Sequence, residues 1–284
     1  MTDAQKKYYL SKFKNKLFVV KIGGEVVASK EILENILKDL KELIDFGIKI
    51  VLVHGGGSQA DSISKQLGYT PKRVNGRRVT HQDDLEVVKM LYGGTLNIEI
   101  LGILMKLSLK GMRVSGLDGA LLKVKLRSKK EFDYGFVGDI VSVDSEILHH
   151  LLDKKYLPIV SPLGATDEGI IVNINADTIA AELAIDLKAE KLILFTNTDG
   201  IYEGQHLFSA LTADEAEQLI DKKVVTEGMK VKVENSVAAV KKGVKRVHIL
   251  NGLSPHSLLK EVLTKEGIGT MILSDAEKYT YLDE

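Results

Sequence analysis

The stretch that decides the fold is Lys16–Val27, KLFVVKIGGEVV. Leu17 to Val20 form an apolar run that Lys21 interrupts, just before Ile22 and the pair Gly23–Gly24. A short continuous apolar run bounded by glycine reads as a strand buried on both faces. A cation at its end has two readings. Either the strand leaves the core there and the amine reaches water along its aliphatic stem, or the amine is held at the strand end to meet a ligand. The rest of the chain chooses between them.

The same phrase, an apolar run closed by glycine, recurs along the chain as IKIVLVHGGG (48–57), MRVSGLDG (112–119), LPIVSPLG (157–164), KLILFTNTDG (191–200) and VKRVHILNG (244–252). Helical stretches lie between. In 31–46, Ile32, Leu33, Ile36, Leu37, Leu40, Leu43 and Ile44 share one face, with Gly47 as the C-terminal stop. Thr80 with Asp83, and Thr212 with Glu215, have capping-box spacing and are expected to open two more helices. Residues 178–189 predict an alanine-rich one. Strands alternating with helices predict an α/β protein with a mostly parallel sheet. Ligands of such sheets collect at the carboxyl ends of the strands, where all six glycine clusters fall. Glycine lets backbone N–H groups approach a phosphate or carboxylate closely, and a following helix adds its positive end. A single cluster is explained by a tight strand-to-helix turn; KIGG and HGGG together favour an anion cradle. Residues 123–146 read as a β-hairpin excursion on the surface. With no linker or break in composition, two lobes sharing one sheet are expected, the first ending near Leu163.

At 284 residues, 44% hydrophobic and 27% charged, this is an ordinary globular composition. Charge is balanced, 39 basic against 39 acidic, which gives no global electrostatic case for nucleic acid or an anionic membrane. The absence of cysteine excludes disulfides, thiolate metal sites and cysteine nucleophiles, and fits an intracellular, cytoplasmic protein. No stretch reads as long enough to span a membrane, and MTDAQKKYYLSKFKNK lacks the apolar core of a signal peptide. That segment predicts a short helix with Tyr8, Tyr9, Leu10 and Phe13 as its apolar residues. It has no obvious place in the core, so it either docks on another subunit or is a surface extension.

The nucleotide signatures divide. The P-loop pattern is absent. GGGSQA (55–60) satisfies the dinucleotide fingerprint, with Arg77 and Arg78 about twenty residues on, where a 2′-phosphate would sit. An NADP-dependent oxidoreductase therefore competes, but it leaves Lys21 and the later motifs unexplained. NINADTIAAELA (173–184) places Asn173, Asn175 and Asp177 before a helix, and TEGMKVKVENSVAAV (226–240) carries Lys232 after a glycine turn. Singly, Asp177 reads as a helix N-cap, Asn173 as a turn residue and each lysine as solvated. Jointly, two lysines and an aspartate converge if their strand ends face one cleft. Phosphoryl transfer asks a protein mainly for positioning and neutralisation of oxygens, which two ammonium groups oriented by Asp177 supply.

Through VVKIGG, VLVHGGG, VNGRRVT, GFVGDI, YLPIVSPLGATDEG, NINAD, LILFTNTDGIY, TEGMKVKV, VHILNG and GIGTMI, the sequence resembles the amino acid kinase family over nearly its whole length. The resemblance implies an open αβα sandwich made of a helical extension (1–15), an amino-acid-substrate lobe (16–163) and an ATP-binding lobe (164–284). It also implies magnesium-dependent transfer of the γ-phosphoryl group of ATP to the side-chain carboxylate of an acyl amino acid, with N-acetyl-L-glutamate expected. Carried over by motif, Lys21 and Lys232 stabilise the transferring group and Asp177 holds both. Gly23, Gly24, Gly56 and Gly57 present N–H groups to the phosphoryl group and the carboxylate it joins. Arg78, Asn173 and Asn175 grip the acceptor. Asn197, Thr198, Asp199, Gly200, Ile201 and Tyr202, with Val224, Val225, Thr226 and the Gly228–Met229 turn, line the nucleotide site. No protein side chain is expected to hold the metal.

Two positions depart from the family pattern. Asn197 stands where aspartate is usual, and Arg77, expected to face solvent, stands where a neutral residue is usual. VSGLDG is reminiscent of the sister kinase that acts on carrier-bound aminoadipate, the alternative acceptor; a non-catalytic nucleotide sensor would keep the glycine cradles but lose a lysine. Arginine-inhibited members of the family have an extra amino-terminal helix that joins dimers into a hexamer, with an arginine site beside it. Residues 3–14 are expected to supply that helix, and His248, Glu261 and the GIGTMI loop from Gly267 the site, while Lys14 stands where an aromatic residue is expected. A homo-oligomer, dimer or hexamer, is implied.

Overall fold

The computed structural model describes residues 3–264 and 267–278; of the extension 1–15, Met1 and Thr2 lie outside the described residues. Eight strands form the central sheet: β1 Leu17–Ile22, β2 Lys49–His54, β3 Gly111–Ser115, β4 Leu157–Ser161, β5 Lys191–Thr196, β6 Ala210–Thr212, β7 Arg246–Asn251 and β8 Thr270–Leu273. Their spatial order is β6-β8-β7-β5-β1-β2-β4-β3. The six runs read from the sequence are β1 to β5 and β7, all mutually parallel and adjacent. The other two strands were not anticipated. β8 lies antiparallel to β7 and carries β6 alongside it, so half of GIGTMI, read as a loop, is an edge-region strand. The chain visits β2, β3 and β4 on one side of β1 and β5 to β8 on the other, which makes the crevice beside β1 the topological switch point where such sheets bind ligands.

Strand parity decides what each face meets. Phe18, Val20 and Ile22 of β1 pack into one core with the helices Lys30–Asp45, Gln82–Met90, Leu96–Lys106 and Ser257–Leu263. Val19, with Val53 of β2 and Leu194 of β5, packs into the other, under Glu146–Asp153, Ala176–Asp186, Ala213–Asp221 and Glu227–Lys241. Lys21 has the parity of Val19 and is in register with Val53 and Leu194. It therefore points at the helices that carry Asp177 and Lys232. Strand alternation alone fixes the direction in which Lys21 points.

Helix boundaries follow local chemistry. Gly47, at φ +91, ends the first long helix as expected. Thr212 and Glu215 exchange both hydrogen bonds of a capping box. The expected box at Thr80 and Asp83 lies one residue later, at His81 and Asp84, because the backbone of Thr80 is still paired with Tyr134 and Phe136. Residues 122–126 and 138–143 form the predicted hairpin. Gln82–Lys106 is one continuous 25-residue helix, including a π-helical turn at Leu91–Thr95, apolar and long enough to cross a membrane by composition. That corrects the reading that no stretch has such length; half of its most apolar 18-residue stretch is buried within this chain. The amino-terminal helix Asp3–Phe13 also has a place in the core after all. Leu10 and Phe13 are buried, Phe13 edge-on against Phe18 and under the ammonium of Lys191.

Candidate active site

Three charged side chains meet where β1 ends. The Lys21 ammonium is 2.7 Å from Asp177 Oδ1, and Lys232 Nζ donates to Asp177 Oδ2 at 2.7 Å. All three are largely buried, with side chains 6%, 7% and 14% exposed for Lys21, Asp177 and Lys232. Asp177 is free for this role because Asn175 caps its helix instead, accepting from the Thr178 N–H at 3.0 Å. Burial alone would raise the Asp177 pKa, but the ammonium groups of Lys21 and Lys232 hold it well below the usual carboxylate range. Burial pushes Lys21 down to about 8; Asp177 opposes that shift and Lys232 adds to it. For Lys232 burial is outweighed by Asp177, and the pKa is raised. One carboxylate between two ammonium groups leaves a surplus positive charge in a desolvated place, which suits a bound anion.

Two cavities join at this point. One, about 240 Å³, is lined by Gly56, Arg78, Tyr92, Val137, Asn173 and Asn175 among others. The other, about 610 Å³, is lined by Gly23, Glu25, Asn197, Thr198, Thr226 and Met229 among others. Lys21, Gly24, Gly57, Arg73, Gly228 and Lys232 line both. The two glycine loops touch across the junction: a Cβ on Gly24 would lie 2.7 Å from Ser58 Oγ and 3.0 Å from the Gly57 amide nitrogen. Gln59 ties the two together by donating to the Gly24 carbonyl at 2.6 Å, so the close approach tolerates only glycine at position 24.

On the wall of the smaller cavity, Arg78 donates to the Gly57 carbonyl at 2.8 Å and pairs with Asp61, with Asp84 3.8 Å from its other terminal nitrogen. Asn173 donates to Thr80 Oγ1 at 3.1 Å. Arg73, Arg127 and Tyr92 also line this cavity and were missed in the sequence. Arg73 sits on a hairpin, Lys72–Val74 with Arg77–Val79, turned by Asn75 and Gly76, both at positive φ. An Asn-Gly pair between such runs is the hairpin signal that was available. Arg127 lay among lysines in the tract read as a surface excursion. Arg77, expected to face solvent, is half-buried and lines the cavity.

The residues expected to line the nucleotide site separate. Asn197, Thr198, Thr226, Gly228 and Met229 line the larger cavity. Asp199 accepts from Asn251 at 2.8 Å and Tyr202 at 3.1 Å on the loop beyond it, with Gly200 between. Ile201 and Val225 are buried in the core, and Val224 packs against it. Gly228–Met229 is not a turn but the first turn of the helix Glu227–Lys241. Among the described residues no group of three or more histidine, aspartate or glutamate side chains is placed to hold a metal. Both oxygens of Asp177 face ammonium groups, so a divalent cation here fits only as one carried on a ligand's own phosphates.

Away from this site, His248, Glu261 and Gly267 do come together. His248 Nδ1 and Glu261 Oε1 are 2.6 Å apart, Lys191 Nζ is 3.0 Å from His248 Nε2, and Glu261 Oε2 accepts the Ile268 N–H at 2.6 Å. Burial, with Lys191 adding to it, pushes His248 down to about 4, so it is neutral, donating to Glu261 and accepting from Lys191. Lys14 is exposed, whereas Lys191 supplies a cation to this cluster.

A doubly cradled anion site with two lysines on one aspartate, at the switch point of this sheet, defines a phosphotransferase of the amino acid kinase class. The amino acid kinase family model matches residues 16–251, and the chain belongs to that family. It is 40% identical over 279 residues to the acetylglutamate kinase of Aquifex aeolicus, covering 93% of this chain and 94% of that protein. It is also similar to N-acetylglutamate synthase from Neisseria gonorrhoeae. The complex with coenzyme A and N-acetyl-glutamate matches at a TM-score of 0.87 and 30% identity, over 96% of this chain and 62% of the synthase chain. The complex with coenzyme A and L-arginine gives 0.86 and 29%, over 96% and 64%. This chain spans less than two thirds of that synthase.

Proposed function

We propose that the chain transfers the γ-phosphoryl group of ATP to the side-chain carboxylate of N-acetyl-L-glutamate, giving N-acetylglutamyl 5-phosphate and ADP, in arginine biosynthesis. The observation that carries the reading is the pair of ammonium groups on Asp177 at the junction of two cavities. The smaller cavity suits an acyl amino acid and the larger a nucleotide. Lys21 and Lys232 then face the moving phosphoryl group from its two sides, and the Gly24 and Gly57 loops offer N–H groups to its oxygens. Magnesium on the nucleotide would neutralise phosphate charge that the protein does not. Identity of about 40% to acetylglutamate kinases over more than nine-tenths of both chains supports this acceptor over carrier-bound aminoadipate, and does not favour an oxidoreductase. The test offers N-acetyl-L-glutamate, glutamate and aminoadipate side by side and follows ADP release. Release with the acetylated acceptor alone is expected; release with none, or with aminoadipate instead, contradicts the reading.

Feedback by arginine and assembly into a homo-oligomer belong to the same proposal. Support comes from the buried His248–Glu261 cluster beside the amino-terminal helix, and from a structural relative solved with L-arginine. Arginine would have to exchange with the amides and imidazole that now satisfy Glu261, and must bind one arrangement of the oligomer better than another to regulate it. Removing residues 1–14 should leave an active enzyme, smaller by sedimentation and weakly responsive to arginine. A full-length dimer whose rate millimolar arginine leaves unchanged contradicts this part alone.

A further inference from the structure

We propose that Tyr92 is a specificity-determining residue of the acceptor cavity: its phenol hydroxyl donates a hydrogen bond to the acyl carbonyl of the acceptor, so that the cavity reads the acyl group directly. The inference rests on the phosphotransfer reading and deepens it. Tyr92 is 4% exposed and lines the smaller cavity but not the larger. Among the described residues its hydroxyl has no hydrogen-bond partner. A phenol hydroxyl so enclosed needs one, and the cavity is where it can come from.

The chain is shaped to put the phenol there. Tyr92 lies in the π-helical turn Leu91–Thr95, where the Leu96 N–H reaches back to the Leu91 carbonyl. Such wide turns are rare, and are frequent at functional sites. Asn97 Nδ2 donates to the Tyr92 carbonyl at 2.5 Å, and the His54 ring stands edge-on to the Tyr92 ring at 6.3 Å. The ring also lies against the second glycine loop: a Cβ on Gly56 would come within 2.7 Å of Tyr92 Cε1. Helix, imidazole and glycine loop together hold the ring in place, which makes its hydroxyl a fixed donor.

Chemistry says which atom that donor meets. Burial raises the Tyr92 pKa, with Asp61 adding to the shift and Arg78 and Arg73 opposing it, so the phenol is neutral. The cavity also holds Arg73, Arg77, Arg78 and Arg127, with Lys21 and Lys232 at the junction. Cationic donors bind carboxylates more strongly than a phenol does, so the acceptor's two carboxylates go to them. Besides those carboxylates, N-acetyl-L-glutamate has one hydrogen-bond acceptor, the acyl carbonyl oxygen. Unacylated glutamate has none, and would bring an ammonium group into a cavity already rich in positive charge.

The test compares dissociation constants of N-acetyl-L-glutamate, 2-acetoxyglutarate and 2-propylglutarate in the unaltered chain and in Tyr92→Phe, with melting temperatures checked for equality. The three share both carboxylates and the length of the side group; the acetoxy compound keeps the carbonyl without the N–H, and the propyl compound has neither. Tyr92→Phe should weaken the first two on the order of three- to tenfold and leave the propyl compound and ATP unaffected. A merely structural role would weaken all three alike, so an equal loss overturns the inference, as does no loss. A loss confined to N-acetyl-L-glutamate also overturns it, since the phenol would then serve the amide N–H. ADP release by the unaltered chain tests the parent reading separately: its absence with N-acetyl-L-glutamate sinks that reading, whereas release together with an unselective Tyr92→Phe sinks the Tyr92 inference alone.

Discussion

Lys21 is the residue whose chemistry is most sharply set by its place. Burial brings its pKa to about 8 while Asp177 resists, so it remains mostly protonated at neutral pH and loses its charge just above. If the charged amine is what the phosphoryl group needs, kcat/KM should fall about tenfold per pH unit above roughly 8, the pKa of the free enzyme. Bound nucleotide phosphates would raise that pKa, so the limb in kcat should lie at higher pH. Asp177→Asn removes the group that raises the Lys21 pKa, and should move the kcat/KM limb toward lower pH. A profile flat to pH 10, or a limb unmoved by Asp177→Asn, contradicts the assignment. Arg78 makes a different demand. Lysine cannot reproduce its bonds to the Gly57 carbonyl and Asp61 together, so Arg78→Lys should raise KM for N-acetyl-L-glutamate with KM for ATP nearly unchanged. Equal effects on both would place Arg78 on the wrong side of the junction.

At the scale of elements, the two glycine loops work by contact. Gly24→Ala would drive a methyl group against Ser58 and the Gly57 amide, and should lower turnover on the order of ten- to a hundredfold by displacing donors from the phosphoryl group. Wild-type turnover would mean that the loops are only turns. By contrast, the capping box at Thr212 is remote from the site, so Thr212→Ala should cost about 1 kcal/mol in denaturant unfolding with turnover retained. The elements divide by legibility for a physical reason. Strands buried on both faces must be apolar throughout, so β1, β2, β4, β5 and β7 announce themselves; β3, an edge strand exposed at Met112 and Arg113, shows only through its glycine-bounded run. β6, with three residues, and β8, at the same margin of the sheet, carry too short a pattern to separate from loop. The lysines and Asp177 were legible because they interrupt apolar segments. Arg73, Arg77 and Arg127 lie on polar hairpins, where an alternating charge looks the same whether it faces water or a cavity.

On the scale of the whole molecule, two buried neutral histidines set the acid limit of stability. Burial pushes His54 to about 4, and burial with Lys191 pushes His248 to about 4. Between that value and the ordinary 6.5 the unfolded chain binds more protons than the folded one. Stability should therefore be full above about pH 6.5 and fall as pH drops toward 4, by on the order of 2–3 kcal/mol per histidine, before the paired carboxylates are titrated. Urea midpoints at pH 7 and pH 5 measure this; equal midpoints would show that neither imidazole is held neutral in the fold.

The same fold that buries those histidines brings Lys21 on a strand and Asp177 and Lys232 on two helices, from three distant parts of the chain, to one point, and the account depends on that convergence serving phosphoryl transfer. Contacts made only to charge that develops in the transition state appear in rate and not in binding. The most direct measurement is kcat for Lys21→Ala and Lys232→Ala, alongside dissociation constants for ATP and N-acetyl-L-glutamate. The account predicts a fall in kcat on the order of a hundredfold or more in each variant, with both dissociation constants changed far less. Wild-type kcat in either variant would contradict it.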